Sequence, residues 1–181
     1  MKKLVFATLM CVAAMSAKAQ VLTSETVNHV YEAVTNQSNN EFVFNTELTG
    51  HDITTMYVYK KSSNRKGVMT LKPHLKYDYC YASDGMLTSR TTYRWADSQN
   101  AWTCSSRYDY TLNNGKYSTE YSLYNHSTNS FDQPVEKMVY FLMPYDSANY
   151  VSYYHRNDPA SPYHLVSETF IPSQATLLAE K

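Results

Sequence analysis

The groups in this 181-residue sequence that could do chemistry are its histidines, its cysteines, a set of carboxylates and an unusual number of aromatic rings. His29, His51, His74, His126, His155 and His164 are scattered along the chain. No two stand at i, i+2 on a strand, and there is no His-Glu-x-x-His, the spacings that aim two imidazoles at one metal ion. Surface or loop histidines are the expectation, with no metal site and no cofactor. Asp109 and Glu120 flank Asn114-Gly115 symmetrically and would face each other across a hairpin there. Like charges directly opposite are destabilising, so the pair needs a hard cation, a raised pKa, or splaying into solvent. Splaying is the simplest of these. Asp78, Arg90 and Arg107 read as a cross-strand ion-pair row. Gly-x-Ser-x-Gly is absent, and Cys104 has no predicted histidine or cation beside it to lower its pKa. The 4 glycines form no phosphate loop.

The aromatic residues are the feature with functional promise. There are 18 tyrosines and 2 tryptophans. Rings on a rigid sheet can stack on sugars or grip a protein, because each is an apolar plate and Tyr and Trp add a polar tip. The same rings can instead be the core, at about 2–3 kcal/mol for each one buried. The candidate ligand-binding rings are Trp95, Trp102, Tyr124, Phe131, Tyr154 and Tyr163, and of these Tyr124, Phe131, Tyr154 and Tyr163, at loop brackets, are the ones expected to stay open.

The elements that position these rings must be strands. Aromatic and β-branched residues recur without helical periodicity, and three stretches line up at roughly 30-residue spacing, the length of one two-stranded unit. Lys76-Tyr77-Asp78-Tyr79 recurs as Arg107-Tyr108-Asp109-Tyr110, and faintly as Lys137-Met138-Val139-Tyr140. Trp95 and Trp102 bracket a polar loop, as do Tyr124 and Phe131, and more loosely Tyr154 and Tyr163. The clearest repeats cover residues 75–142. Asn114-Gly115 is a strong two-residue hairpin signal, and Ser83-Asp84-Gly85 fits a three-residue loop with Gly85 left-handed.

These turns set a register. It pairs Tyr93 with Cys104, Ser89 with Tyr108, Tyr79 with Ser89, Tyr77 with Thr91 and Leu75 with Tyr93. Because side chains alternate, each pairing assigns faces. One face then holds Tyr77, Tyr79, Tyr81, Tyr93, Trp95, Trp102, Tyr108, Tyr110, Tyr117 and Tyr121. The other holds Lys76, Asp78, Arg90, Arg94, Arg107, Asp109, Lys116 and Glu120. Cys80 and Cys104 fall on opposite faces two strands apart, too far for a disulfide, so both thiols are expected free.

Residues 41–48 and 53–61 form a further hairpin about Thr49-Gly50. Residues 22–35 suit a short helix or a strand. Pro134 suggests an edge strand or a bulge. The fold expected is all-β: an antiparallel meander of about eight to ten strands, either a strongly twisted open sheet or a partly closed barrel.

At the N-terminus, Lys2 and Lys3 precede an apolar run over residues 4–15 and the small-x-small site Ala17-Lys18-Ala19. That is the pattern of a signal peptide over 1–19, leaving a single repeat domain over 20–181. The expected location is periplasm, cell surface or medium, with no membrane insertion after cleavage. Removing Lys2, Lys3 and Lys18 from the 16 basic residues leaves 13 against 16 acidic ones, a net charge of −3. A nucleic-acid partner would want the opposite sign.

The strand at Leu75-Lys76-Tyr77-Asp78-Tyr79, the segment Asp84-Gly85-Met86-Leu87-Thr88, the Tyr93-Arg94-Trp95…Trp102 bracket and Val135-Glu136-Lys137-Met138-Val139-Tyr140 resemble a family of uncharacterised secreted proteins of Bacteroides-type gut bacteria, over roughly residues 50–170. The resemblance implies export from a Gram-negative cell and no activity. The chain is also similar, more weakly, to the Tyr-Asp repeats of large bacterial surface and toxin shells, which differ in glycine content and repeat length. The functional expectation is an exported, non-catalytic binding or structural module whose aromatic surface meets a protein or a glycan. The alternative is a secreted glycan or peptide hydrolase with loop-borne acids, which would need a cleft with converging carboxylates.

Overall fold

The structure, a computed structural model, describes residues 23–36, 41–63, 67–114, 116–141 and 148–172. The expected signal peptide, part of the basic turn after Ser63 and the tail beyond Pro172 lie outside the described residues. One helix, α1 (Ser24–Thr35), precedes ten strands: β1 (Phe42–Thr49), β2 (Asp52–Ser63), β3 (Met69–Tyr81), β4 (Leu87–Ala96), β5 (Ala101–Asn113), β6 (Lys116–Asn125), β7 (Ser130–Phe131), β8 (Glu136–Phe141), β9 (Ala148–His155) and β10 (His164–Pro172). Hydrogen bonding follows chain order, β1-β2-β3-β4-β5-β6-β8-β9-β10, with β7 paired to β6. The order is an open antiparallel meander, not a barrel.

The ambiguous segment is a helix because its first turn is capped. Thr23 Oγ1 accepts from the Thr26 amide at 3.4 Å, and Thr26 Oγ1 accepts from the Thr23 amide at 3.3 Å. That reciprocal pair satisfies two of the amides a helix start leaves open. Asn28 then ties the helix to the β1–β2 turn, donating to the His51 carbonyl at 2.9 Å and accepting from the Ile53 amide at 3.4 Å. The Ser24 amide donates to the Gly85 carbonyl at 3.1 Å, tying it to the β3–β4 turn as well. Gly85 has φ +80°, as the turn chemistry requires.

The described chain divides into two compact units. One comprises described residues within 23–109 and 122–132, the other those within 110–121 and 133–172. In the first, the ladder is bulged in four places, at Thr54 between β1 and β2 and at three further points that decide which side chains of β3, β4 and β5 share a face. Val58 pairs with Leu75 and Tyr59 with Pro73, leaving His74 extra. Pro73 thus sits where a proline in a strand is tolerated. Tyr81 pairs with Leu87 but Cys80 with Ser89, leaving Thr88 extra. Tyr93 pairs with Cys104 but Thr92 with Ser106, leaving Ser105 extra. Each extra residue reverses the parity beyond it.

The register expected from the turns is therefore right at its anchors and one residue out past the bulges. Tyr81–Leu87, Trp95–Trp102 and Tyr93–Cys104 are partners as expected. Tyr79 faces Arg90 instead of Ser89, Lys76 instead of Leu75 faces Tyr93, and Arg90 instead of Ser89 faces Tyr108. The aromatic residues do not share one face. Tyr77, Tyr79 and Tyr108 lie on one side with Arg90, whose guanidinium stands 5.2 Å from the Tyr77 ring and 4.9 Å from that of Tyr108. Tyr93, Trp95 and Trp102 lie on the other, with Lys76 and Asp78. Met56, Val58, Leu87 and Tyr108 are buried on the tyrosine side, where Tyr77 and Tyr79 stay partly exposed.

In the second unit Tyr110 and Tyr117, each 4% exposed, stack at 6.0 Å and 16°, and Tyr140 packs 6.1 Å from Tyr117. Met138 and Val151, also buried, complete that side. Cross-strand partners Glu120 and Lys137 lie on the other side, with Tyr154 beyond Lys137.

Candidate functional site

The rings expected at loop brackets take up three arrangements. Trp95 and Trp102 are cross-strand partners on β4 and β5, edge to face at 5.1 Å and 75°. Tyr124 and Phe131 repeat that pair on β6 and β7 at 5.1 Å and 76°. Each hairpin turns through an asparagine at positive φ, +48° at Asn100 and +52° at Asn129. The sequence repeat is thus a structural one. In the third hairpin the cross-strand partner of Tyr154 is Leu165, and Tyr163 belongs to the connecting loop.

The Trp95–Trp102 pair opens onto a larger surface. Trp102 lies 6.0 Å from Tyr57, and Tyr57 lies 6.4 Å from Tyr59, so four partly exposed rings run from β4 across to β2. Polar groups border them. Lys76 Nζ stands 4.0 Å over the Tyr93 ring and 2.9 Å from Asp78 Oδ2. Thr55 Oγ1 donates to Asp78 Oδ1 at 3.0 Å, and the Tyr57 hydroxyl donates to Glu47 Oε1 at 2.8 Å. Sequence reasoning missed Tyr57 and Tyr59 as members of this surface. Their i, i+2 spacing in β2 is the signal that could have found them.

Hydrogen bonding, burial and neighbouring charge raise the phenols and the thiol of this surface. The hydrogen bond to Glu47 pushes the Tyr57 phenol up to about 12, with burial adding to it. Burial, then the Asp78 charge, pushes Tyr93 up to about 12. Burial raises the Cys104 thiol, against the pull of Arg107 and Lys76. A raised thiol is mostly protonated at neutral pH and a poor nucleophile. Cys80 and Cys104 are both free, as expected, though they share a face. Their β4 partners Ser89 and Tyr93 are four residues apart, about 13 Å along the strand.

The carboxylates pair with neighbouring cations. Asp109 binds Arg107 Nε at 2.9 Å, and Glu120 binds Lys137 Nζ at 3.2 Å. Asp78 pairs with Lys76 and not with Arg90, which the bulges place on the other face. Among the described residues, no three His, Cys, Asp or Glu side chains are placed to hold a metal together.

Phe131 and Tyr163 each give a ring face to a cation. Arg107 stands 4.4 Å over Phe131, and Arg156 stands 4.5 Å over Tyr163. Arg156 also clamps its own loop. Its Nε donates to the Pro134 carbonyl at 2.8 Å and its Nη1 to the Pro159 carbonyl at 2.7 Å. Tyr163 donates its hydroxyl to Pro134 at 3.1 Å. Trp95, Trp102, Tyr57 and Tyr59 carry no such cation among the described contacts.

The family model described as "Family of unknown function (DUF3836)" matches residues 1–142. A crystal structure of a protein of unknown function from Bacteroides fragilis NCTC 9343 is similar at 26% identity and TM-score 0.60, covering 76% of this chain and 96% of that one. DUF3836 proteins from Bacteroides vulgatus and Parabacteroides distasonis are similar at 19% and 14% identity, with TM-scores 0.46 and 0.45, covering 58% and 79% of this chain and 93% and 100% of theirs. No curated protein matches. No helix among the described residues is long and apolar enough to cross a membrane.

Proposed function

From the premise that this chain belongs to the DUF3836 family, whose function is unknown, we propose that it is an exported, non-catalytic binding module that meets its ligand with the tryptophan side of its first unit. One observation carries the reading: Tyr57, Tyr59, Trp95 and Trp102 form an unbroken row of partly exposed rings at 5.1–6.4 Å spacing. Met56, Val58, Leu87 and Tyr108 on the tyrosine side of that unit are buried and can be core, a purpose that does not require the tryptophan side. Rings flanked by fixed donors and acceptors (Lys76, Asp78 and Glu47) suit a ligand with apolar faces and polar edges, such as a glycan or an aromatic-rich protein segment. Hydrolysis has less support. Asp109 and Glu120 are neutralised by their own cations, and the phenols and thiol on the ring surface are shifted away from reactivity. Export rests on the N-terminal sequence pattern.

The test is glycan-array and pull-down screening with residues 20–181, beside Trp95→Ala/Trp102→Ala and Tyr57→Ala. Loss of a captured ligand in both variants, with unchanged unfolding midpoints, supports the reading. A ligand retained by both variants, or turnover of a glycan or peptide by the wild type, overturns it.

A further inference from the structure

The geometry points to a divalent transition-metal site at the β9–β10 hairpin, formed by His155 and His164. These two are cross-strand partners and the last pair before the loop. The equivalent innermost pair is Ala96–Ala101 in the first bracketed hairpin and Asn125–Ser130 in the second. Only the third carries two imidazoles there. Their ring centroids are 5.7 Å apart at 73°. Two imidazoles binding one tetrahedral ion through Zn–N bonds of ~2.0 Å would have centroids about 5 Å apart. Small side-chain rotations therefore bring one nitrogen of each ring onto a common ion, with little backbone change.

The surroundings favour a cation. Glu136 is the β8 partner of His155 and lies on the same face, adding a negative charge one strand inward. The neighbouring cation in sequence, Arg156, follows His155 directly. Side-chain alternation sends it to the other side, where the Pro134 and Pro159 carbonyls hold it. His164 is exposed, so an ion can reach it and complete its shell with water. Imidazole pairs suit Cu2+, Ni2+ and Zn2+, with Cu2+ bound most tightly. This site is independent of the ring surface proposed above.

The test titrates residues 20–181 with Zn2+ by calorimetry and with Cu2+ by nuclear magnetic resonance, where the paramagnetic ion broadens nearby amides. One equivalent of Zn2+ should bind, Cu2+ should bind more tightly, and broadening should centre on residues 155 and 164. His155→Phe and His164→Phe keep a ring and remove the ligand. Each should weaken Zn2+ binding at least tenfold without moving the urea midpoint. The broadening map uses the wild type, so it decides even if a variant folds poorly. Broadening centred on another histidine, affinity unchanged in either variant, or no saturable binding of either ion overturns the site.

Discussion

Replacing Arg90 with alanine separates two accounts of the sheet. Unbroken alternation from the turns puts Arg90 on a solvated polar face, where truncation changes stability by no more than about 0.5 kcal/mol. The bulges at Thr88 and Ser105 put it instead between Tyr77 and Tyr108, at 5.2 and 4.9 Å from their rings. Each such contact contributes about 1 kcal/mol in a half-buried setting. The aliphatic stem covers apolar surface as well. Arg90→Ala is therefore expected to cost about 2–3 kcal/mol, or roughly 5–10 °C in melting temperature for a chain of this size. Arg90→Glu, which turns attraction to the ring faces into repulsion, should cost more. Urea unfolding followed by circular dichroism measures both against wild type. A loss under 0.5 kcal/mol for Arg90→Ala would refute the bulged register, whatever the stability of the other variants.

Three further outcomes follow from the same geometry. Tyr117→Ala removes a 4% exposed ring stacked on Tyr110 and should cost about 3–5 kcal/mol in the same urea assay, whereas Trp95→Ala should cost clearly less. Arg156→Ala releases the carbonyls of Pro134 and Pro159. Limited proteolysis should then cut within residues 157–162 well before wild type, while Arg156→Lys protects only in part. Tyr57 and Tyr93 have phenols at about 12 in the folded chain against an ordinary value near 10. Their folded-state values are raised, so their contribution is whole below pH 10 and is lost as pH rises to 12. Alkaline unfolding should start in that window, and Glu47→Gln should move the Tyr57 step downward in an ultraviolet titration.

Much of the fold is legible in the residues because turns and brackets are local. Gly85 needs a left-handed backbone, Asn100 and Asn129 close equivalent loops, and Trp95–Trp102 fixes a pair across the strands. The bulges are not legible. Thr88 and Ser105 are ordinary strand residues, and nothing in their side chains announces that the ladder skips them. A single skip moves every later side chain to the opposite face, so unbroken alternation gathers onto one face rings that the bulges divide between two. Unbroken alternation groups Tyr93, Trp95 and Trp102 with Tyr79 for that reason alone. Pro73 does mark its bulge, since its missing amide has no place in a regular ladder. The helix was ambiguous because β-branched Val27, Val30 and Val34 offset a cap that only Thr23 and Thr26 together define.

Hydroxyl-radical footprinting read by mass spectrometry tests the division of rings between a closed and an open side most directly. Trp95, Trp102 and Tyr57 should label fast, and Tyr108, Tyr110 and Tyr117, at 4–9% exposure, should be protected until the chain unfolds. Equal labelling of the two sets, or protection of both tryptophans in the ligand-free monomer, would contradict the account.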